Sequence, residues 1–293
     1  MATLAGGRPV RSGRHVVTEP LVLHASIVVI GDEILGGFVQ DANSGWLATR
    51  LQAAGVPLDR VTTVPDEMDA IDEALHAELA RSRPRLVLTT GGIGSTPDDI
   101  TYEAVAASLG RDLVVEPTMA ARIDRSLAWS VEHGLEVTDD FAWHMHRMAR
   151  VPAGARLIEH DGWAPGLLVD VDGGIEADGG ATIAILPGVP SQMRAIVDDA
   201  IVPVLEARGT TWTVAELTHG FPESALNLCF ADVIEAHPEV KLGSYPGTPM
   251  IVRLQGPEAA VAAAAETVRR AIDELRATPA GAALEAAWAA RTS

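Results

Sequence analysis

The chain has 293 residues, with 40 Asp and Glu against 22 Lys and Arg, for a formal net charge of −18. That length suits one large or two modest domains, and a hydrophobic fraction of 47% supplies a buried core. The acidic balance argues against nucleic acid or an anionic membrane as the main partner.

Residues 1–20 are glycine-rich and basic, and read as a mobile leader. The apolar run 21–30 has the length of a signal-peptide core. It enters Gly31-Asp32-Glu33 with no A-x-A-like site, so a first core strand is expected. No stretch reaches the length of a transmembrane helix. Ile27-Val28-Val29-Ile30 is a continuous β-branched run, as in a strand covered on both faces. Residues 43–54 form a helix, capped by Asn43 and ended by Gly55. A strand at 61–64, an amphipathic helix at 67–81, a strand at 86–88 and a helix at 102–109 follow. This alternation predicts an α/β fold, a mostly parallel sheet with helices on both faces.

Two more helices are expected, at 118–133 and 140–150. Strands at 167–170 and 182–186 flank a glycine- and acid-rich hairpin tip at 171–180, which lacks the spacing of a calcium loop. A helix at 191–207 closes the first domain. A strand at 211–217, a helix at 224–236, strands at 240–244 and 250–255 and a helix at 257–276 form a small α+β unit of βαββα order. The expected organisation is a leader at 1–20, an α/β domain at 21–208, a small domain at 209–280 and a tail at 281–293. That tail either extends the last helix or frays.

The chemistry concentrates in Thr90-Gly91-Gly92-Ile93-Gly94-Ser95-Thr96-Pro97-Asp98-Asp99-Ile100-Thr101, between a strand and a helix. Glycines let a ligand approach backbone N–H groups, and a helix N-terminus favours anions. Adjacent carboxylates beside a phosphate seat suit a metal-assisted phosphate site. Gly31-Asp32-Glu33 ends the first strand, so Asp32 and Glu33 belong at the same sheet edge. Asp41 lies just beyond and faces the same cleft in this reading, whereas capping accounts for Asn43. Leu186-Pro187-Gly188-Val189-Pro190 forms a shaped corner after another strand, with exposed N–H groups.

Other motifs are excluded. Lys241, the only lysine, lies between Val240 and Leu242, so there is no GxxxxGK[ST] loop, and cationic phosphate contacts fall to arginine or a metal ion. Pro97 occupies the third glycine position of a dinucleotide fingerprint, and no GxSxG elbow is present. Cys229, the only cysteine, excludes an internal disulfide and a cysteine zinc cluster. In its apolar run it reads as a structural thiol, which fits a reducing cytoplasm. His144 and His146 point to nearly opposite sides of one helix and do not make a metal pair. Either His144 or Arg147 alone could reach a cleft.

Gly31-Asp32-Glu33-Ile-Leu-x-Gly, Asp41-x-Asn43, the Thr90–Thr101 loop, Ala164-Pro165-Gly166 and Leu186–Pro190 occur in an order that resembles the molybdopterin-binding-like domain of CinA and of eukaryotic FAD synthases. Gly220-Phe221-Pro222-Glu223-Ser224 and Leu242-Gly243-Ser244-Tyr245-Pro246 extend the resemblance into the second domain. It covers roughly residues 24–256, and Ser95 departs from the usual proline.

The resemblance implies a three-layer α/β/α fold and a pocket for a phosphorylated pterin or nucleotide. Its CinA and FAD-synthase side implies metal-dependent hydrolysis of ADP-ribose or FAD pyrophosphate. In that reading Asp98 and Asp99 bind Mg²⁺, Mn²⁺ or Co²⁺, with K⁺ as a further cofactor. Asp32 or Glu33 orients water. Gly31, Asp41, Asn43, Thr90, Gly91, Gly92, Gly94, Ser95, Thr96, Thr101, Pro187, Gly188 and Pro190 hold the substrate. The MogA and MoaB branch implies two alternatives, molybdopterin binding or adenylylation; a non-catalytic nucleotide module is a third. The resemblance also implies a homodimer. The 293 residues contain no counterpart of the CinA amidohydrolase domain or the FAD synthase catalytic half, so neither activity is expected.

Overall fold

The computed structural model describes residues 22–158, 160, 162–177, 179–208 and 212–292, except the side chains of 291 and 292. The leader expected at 1–20 lies outside the described residues.

The first domain runs β1 (His24–Ile30), α1 (Asp32–Leu35), α2 (Asn43–Ala53), β2 (Leu58–Val64), α3 (Met68–Leu79), β3 (Arg85–Thr90), α4 (Thr101–Ser108), β4 (Leu113–Val115), α5 (Pro117–Glu132), α6 (Asp139–Arg147), β5 (Arg150–Pro152), β6 (Arg156–Ile158), β7 (Gly166–Val171), β8 (Ala181–Leu186), α7 (Pro190–Ile196), a π-helical turn (Val197–Ile201) and α8 (Val202–Ala207). Its six-stranded sheet has the order β2-β1-β3-β8-β7-β6, and β2, β1, β3 and β8 are mutually parallel. At one side β7 pairs antiparallel with β8, and β6 pairs antiparallel with β7.

Alternation along the strands builds two cores. Val28, Ile30 and Val87 pack with Ile71, Leu75, Val105 and Ile123 on one face. Ile27, Val29, Leu86 and Leu88 pack with Leu47, Leu51, Met193 and Leu205 on the other. Both faces are therefore covered, which gives the three-layer α/β/α architecture. β2 lies on one side of β1 and β3 on the other, reached through helices on opposite faces. The chain thus reverses its winding between β1 and β3, the place where doubly wound sheets open a crevice at their carboxyl ends. At the opposite end of the sheet, buried Arg85 pairs with Asp59 at 2.7 Å and lies 3.7 Å from buried Glu78.

Three differences from the sequence expectations have local causes. β4, β5 and β6 are three-residue strands, too short for a period-2 pattern to emerge. The helix expected at 191–207 widens into the π-helical turn before Pro203, whose ring removes one backbone donor. The helix expected at 140–150 ends at Arg147, because Arg150 pairs with Val115 in the small β4–β5 sheet.

The second domain runs β9 (Trp212–His219), a 3₁₀ turn (Glu223–Leu226), α9 (Asn227–Ala236), β10 (Lys241–Tyr245), β11 (Met250–Pro257), α10 (Glu258–Ala277) and α11 (Pro279–Thr292). Its antiparallel sheet β10-β11-β9 packs Val252 and Leu254 on Phe230, Val233, Ala264 and Val268. Cys229 belongs to this core, and burial pushes its thiol pKa up, as befits a structural residue. The chain beyond Thr278 neither continues α10 nor frays. Thr278 is extended, and α11 folds back so that Glu285 accepts from Arg276 Nε and Nη2 at 3.0 and 2.9 Å. Among the described residues no helix is long and apolar enough to cross a membrane.

Candidate functional site

The parallel strands β2, β1, β3 and β8 end side by side, and each releases a loop into the same crevice. β3 delivers Gly91 at φ +107, where an added Cβ would lie 2.0 Å from the carbonyl oxygen of Ile30 at the end of β1. Gly92 follows at φ +65, with Thr101 Oγ1 where its Cβ would stand. Only glycine fits this double turn. Thr101 opens α4 and locks the turn from behind, donating its hydroxyl to Gly91 O at 2.8 Å and its N–H to Gly92 O at 2.9 Å. The N–H groups of Gly92, Ile93, Gly94 and Ser95 make no hydrogen bond to another described residue.

The β8 corner packs directly on this turn. A Cβ on Gly188 would come 3.3 Å from Gly91 Cα. Thr90 donates its hydroxyl to Pro187 O at 3.0 Å. Asn43 donates Nδ2 to both Thr90 Oγ1, at 2.9 Å, and Gly188 O, at 2.8 Å, while its Oδ1 is buried without a partner. Pro190 begins α7. These contacts reverse the expected capping. Asp41 does the capping: its Oδ1 accepts from Asn43 N and Ser44 N at 2.9 and 3.0 Å, and its Oδ2 from the Ser44 hydroxyl. Asn43 carries no side-chain cap bond to its own helix; its amide ties the three loops together.

The acids gather on the β1–β2 side. Asp66, just past β2, accepts Asp32 N–H at 2.9 Å, and its Oδ1 would lie 3.2 Å from a Cβ on Gly92. Its pKa is raised, first by burial and then by the charges of Asp32, Glu33 and Asp98. Asp32, Glu33 and Asp98 are exposed. A Cβ on Gly31 would meet the Glu33 carboxylate, which therefore lies over that turn. Asp99 faces its own loop, where its Oδ2 accepts Thr96 N–H at 2.8 Å and the Thr96 hydroxyl at 2.5 Å. Arg147 braces the loop from α6, with Nη2 3.0 Å from Asp99 O and 3.0 Å from Glu103 Oε1. Among the described residues no three His, Cys, Asp or Glu side chains converge to hold a metal ion by themselves.

The family model described as "Probable molybdopterin binding domain" matches residues 26–207, a span that contains every loop of this crevice. The chain belongs to this family. Its relatives include CinA-like proteins. One from Mycolicibacterium vanbaalenii is 35% identical over 208 residues, 69% of this chain and 47% of that protein. The chain thus spans less than half the length of that CinA-like relative. A protein of Aeropyrum pernix is 35% identical over 268 residues, 86% of this chain and 94% of its own length. The crystal structure of CinA from Thermoplasma acidophilum, described as of unknown function, superposes with a TM-score of 0.50 at 32% identity, covering 61% of this chain and 95% of that one.

On this CinA-like domain, the sequence reading located the turns after β1, β3 and β8 but passed over Asp66. The signal was available: Val64-Pro65-Asp66 ends the fourth parallel strand, and the same edge argument applies to it. Arg147 came from a helix whose sequence gives no indication of which loop it reaches. Ser95 and Thr96 lie in the glycine loop, with Ser95 half-buried and Thr96 exposed.

Proposed function

We propose that the chain is a metal-dependent hydrolase that cleaves the phosphoanhydride bond of nucleotide pyrophosphates of the ADP-ribose or FAD type. The observation that carries this reading is the placement of Asp66, Asp32, Glu33 and Asp98 against a turn with uncommitted backbone N–H groups. In this reading the N–H groups of Gly92–Ser95 hold one phosphate, and the α4 N-terminus adds favourable potential. The like charges that raise the Asp66 pKa mark a place where a cation is welcome.

The carboxylate donors suit a hard divalent ion such as Mg²⁺, Mn²⁺ or Co²⁺. Mg²⁺ commonly takes one or two carboxylates and completes its shell from substrate phosphates and water, so three converging acids are not required. Asp98 and Asp66 are the donors assigned here. When bound, the ion supplies Lewis acidity and offsets the repulsion between this acidic protein and an anionic substrate. Asp32 or Glu33 orients the attacking water and accepts its proton. Asp99 and Arg147 keep the loop in shape.

A second reading, a molybdopterin-binding protein, is favoured by the description of the matching family and uses the same crevice. The deciding experiment incubates purified protein with FAD, ADP-ribose and NAD in Mg²⁺, Mn²⁺ or Co²⁺ plus K⁺ and follows AMP release. Release that stops on chelation and in Asp98→Asn supports the hydrolase. Intact FAD, ADP-ribose and NAD under every metal would overturn it and make molybdopterin the next ligand to titrate.

A further inference from the structure

Trp143 stands one turn before Arg147 on α6, on the same helix face. Arg147 reaches the glycine loop through Nη2 to Asp99 O at 3.0 Å and Nη1 to Thr96 O at 3.4 Å. The Arg147 guanidinium carbon is 5.7 Å from the centre of the Trp143 ring. His144 meets the indole edge-on, with centroids 4.8 Å apart and planes at 84°. Trp143 is therefore held from two sides at the rim of the loop, yet it is 56% exposed. The guanidinium is already occupied by loop carbonyls and Glu103, so it braces the rim and lends a cation–π contact to the ring.

We infer that Trp143 is the stacking platform for the nucleobase of the substrate, and so a specificity-determining residue. This rests on the pyrophosphatase reading above. A pyrophosphate seated on the Gly92–Ser95 N–H groups places its base a sugar's length away, beyond the rim of the loop. A restrained, solvent-facing indole at that rim offers a flat apolar surface to a flat base. Stacking tolerates any base because each has a π-face. The site therefore selects nucleoside pyrophosphates over inorganic pyrophosphate rather than one base over another.

The test is calorimetric titration with ADP and with inorganic pyrophosphate in Mg²⁺, using the full chain as wild type, Trp143→Ala and Trp143→Phe. Trp143→Ala should weaken ADP binding roughly fivefold to a hundredfold and leave pyrophosphate binding unchanged. Trp143→Phe should restore most of the loss. In turnover, the alanine variant should raise KM for ADP-ribose with kcat unchanged. Equal losses for both ligands, or none, would overturn the inference. So would a changed oligomeric state with unchanged affinity, which would make Trp143 and the exposed Phe141 an interface instead. ADP binding that depends on Trp143 without hydrolysis of any dinucleotide would sustain the stacking role and refute the hydrolase. Wild type that binds neither ligand would overturn the inference, and AMP release would still decide the hydrolase.

Discussion

The carbonyl oxygen of Ile30 lies 2.0 Å from where a Cβ on Gly91 would stand, so the ends of β1 and β3 touch backbone to backbone. That contact closes the floor of the crevice at the point where the sheet reverses its winding. Gly91→Ala must push the strands apart in addition to adopting φ +107. It should cost at least about 2 kcal/mol in urea unfolding. Gly37→Ala is the control. Gly37 also has positive φ, +72, but nothing lies within 4 Å of its Cβ position, so the cost should be about 1 kcal/mol.

Asn43 and Asp41 should separate in the same assay. Asn43→Ala strands Gly188 O and Thr90, and should cost about 1–3 kcal/mol together with ligand affinity. Asp41→Ala removes the α2 cap and should cost about 0.5–2 kcal/mol, with ligand affinity retained. Loss of affinity in Asp41→Ala with unchanged stability would return Asp41 to the binding set.

Asp66 gives a pH signature. Its folded pKa is raised above the ordinary value of 3.8 by burial and by neighbouring acids. The fold therefore holds that proton more tightly than the unfolded chain does. Its contribution to stability is present below 3.8 and is lost as pH rises through the raised value. Asp66→Asn keeps an acceptor for Asp32 N–H and removes the ionisation. Unfolding midpoints measured across pH should show the variant more stable than wild type at neutral pH, with the difference vanishing at about pH 3.

Asp98 and Asp99 are neighbours in sequence with different surroundings. Asp98→Asn should lower kcat at least about a hundredfold with unchanged unfolding, since it is exposed and the loss is one of ion binding. Asp99→Ala releases Thr96 N and Oγ1, so it should raise KM and lower stability by about 1–3 kcal/mol. Steady-state kinetics beside unfolding curves would distinguish them, and identical behaviour of the two variants would refute the assignment.

Arg85→Met tests the far end of the sheet. Arg85 is fully buried against Asp59 and Glu78, and its removal takes one cation from the buried Glu78 carboxylate, which keeps Arg60 at 3.5 Å and Arg81 at 3.6 Å. A loss of about 1–3 kcal/mol is expected in chemical denaturation, with the crevice untouched.

The order of the longer strands and helices was legible in the chain because each carries its own period, whereas the three-residue β4, β5 and β6 carry none. Ile27–Ile30, Leu86–Leu88 and Thr182–Leu186 read as buried strands, and the turns after them announce themselves through glycine and proline, which act locally. Those local signals located the candidate loops after β1, β3 and β8, and the resemblance tied them to one family. What they could not determine was which side chain meets which. Asn43 and Asp41 are both good helix caps by composition, and only the approach of Gly188 and Thr90 from strands distant in sequence assigns the bridge to Asn43. Asp66 came to light only when β2 was set in space, and the packing of α6 decided which loop Arg147 reaches. Capping, turns and periodicity are decided within a few residues, whereas the partners of a carboxylate or a guanidinium are decided by strand order and helix packing, which only the tertiary structure supplies.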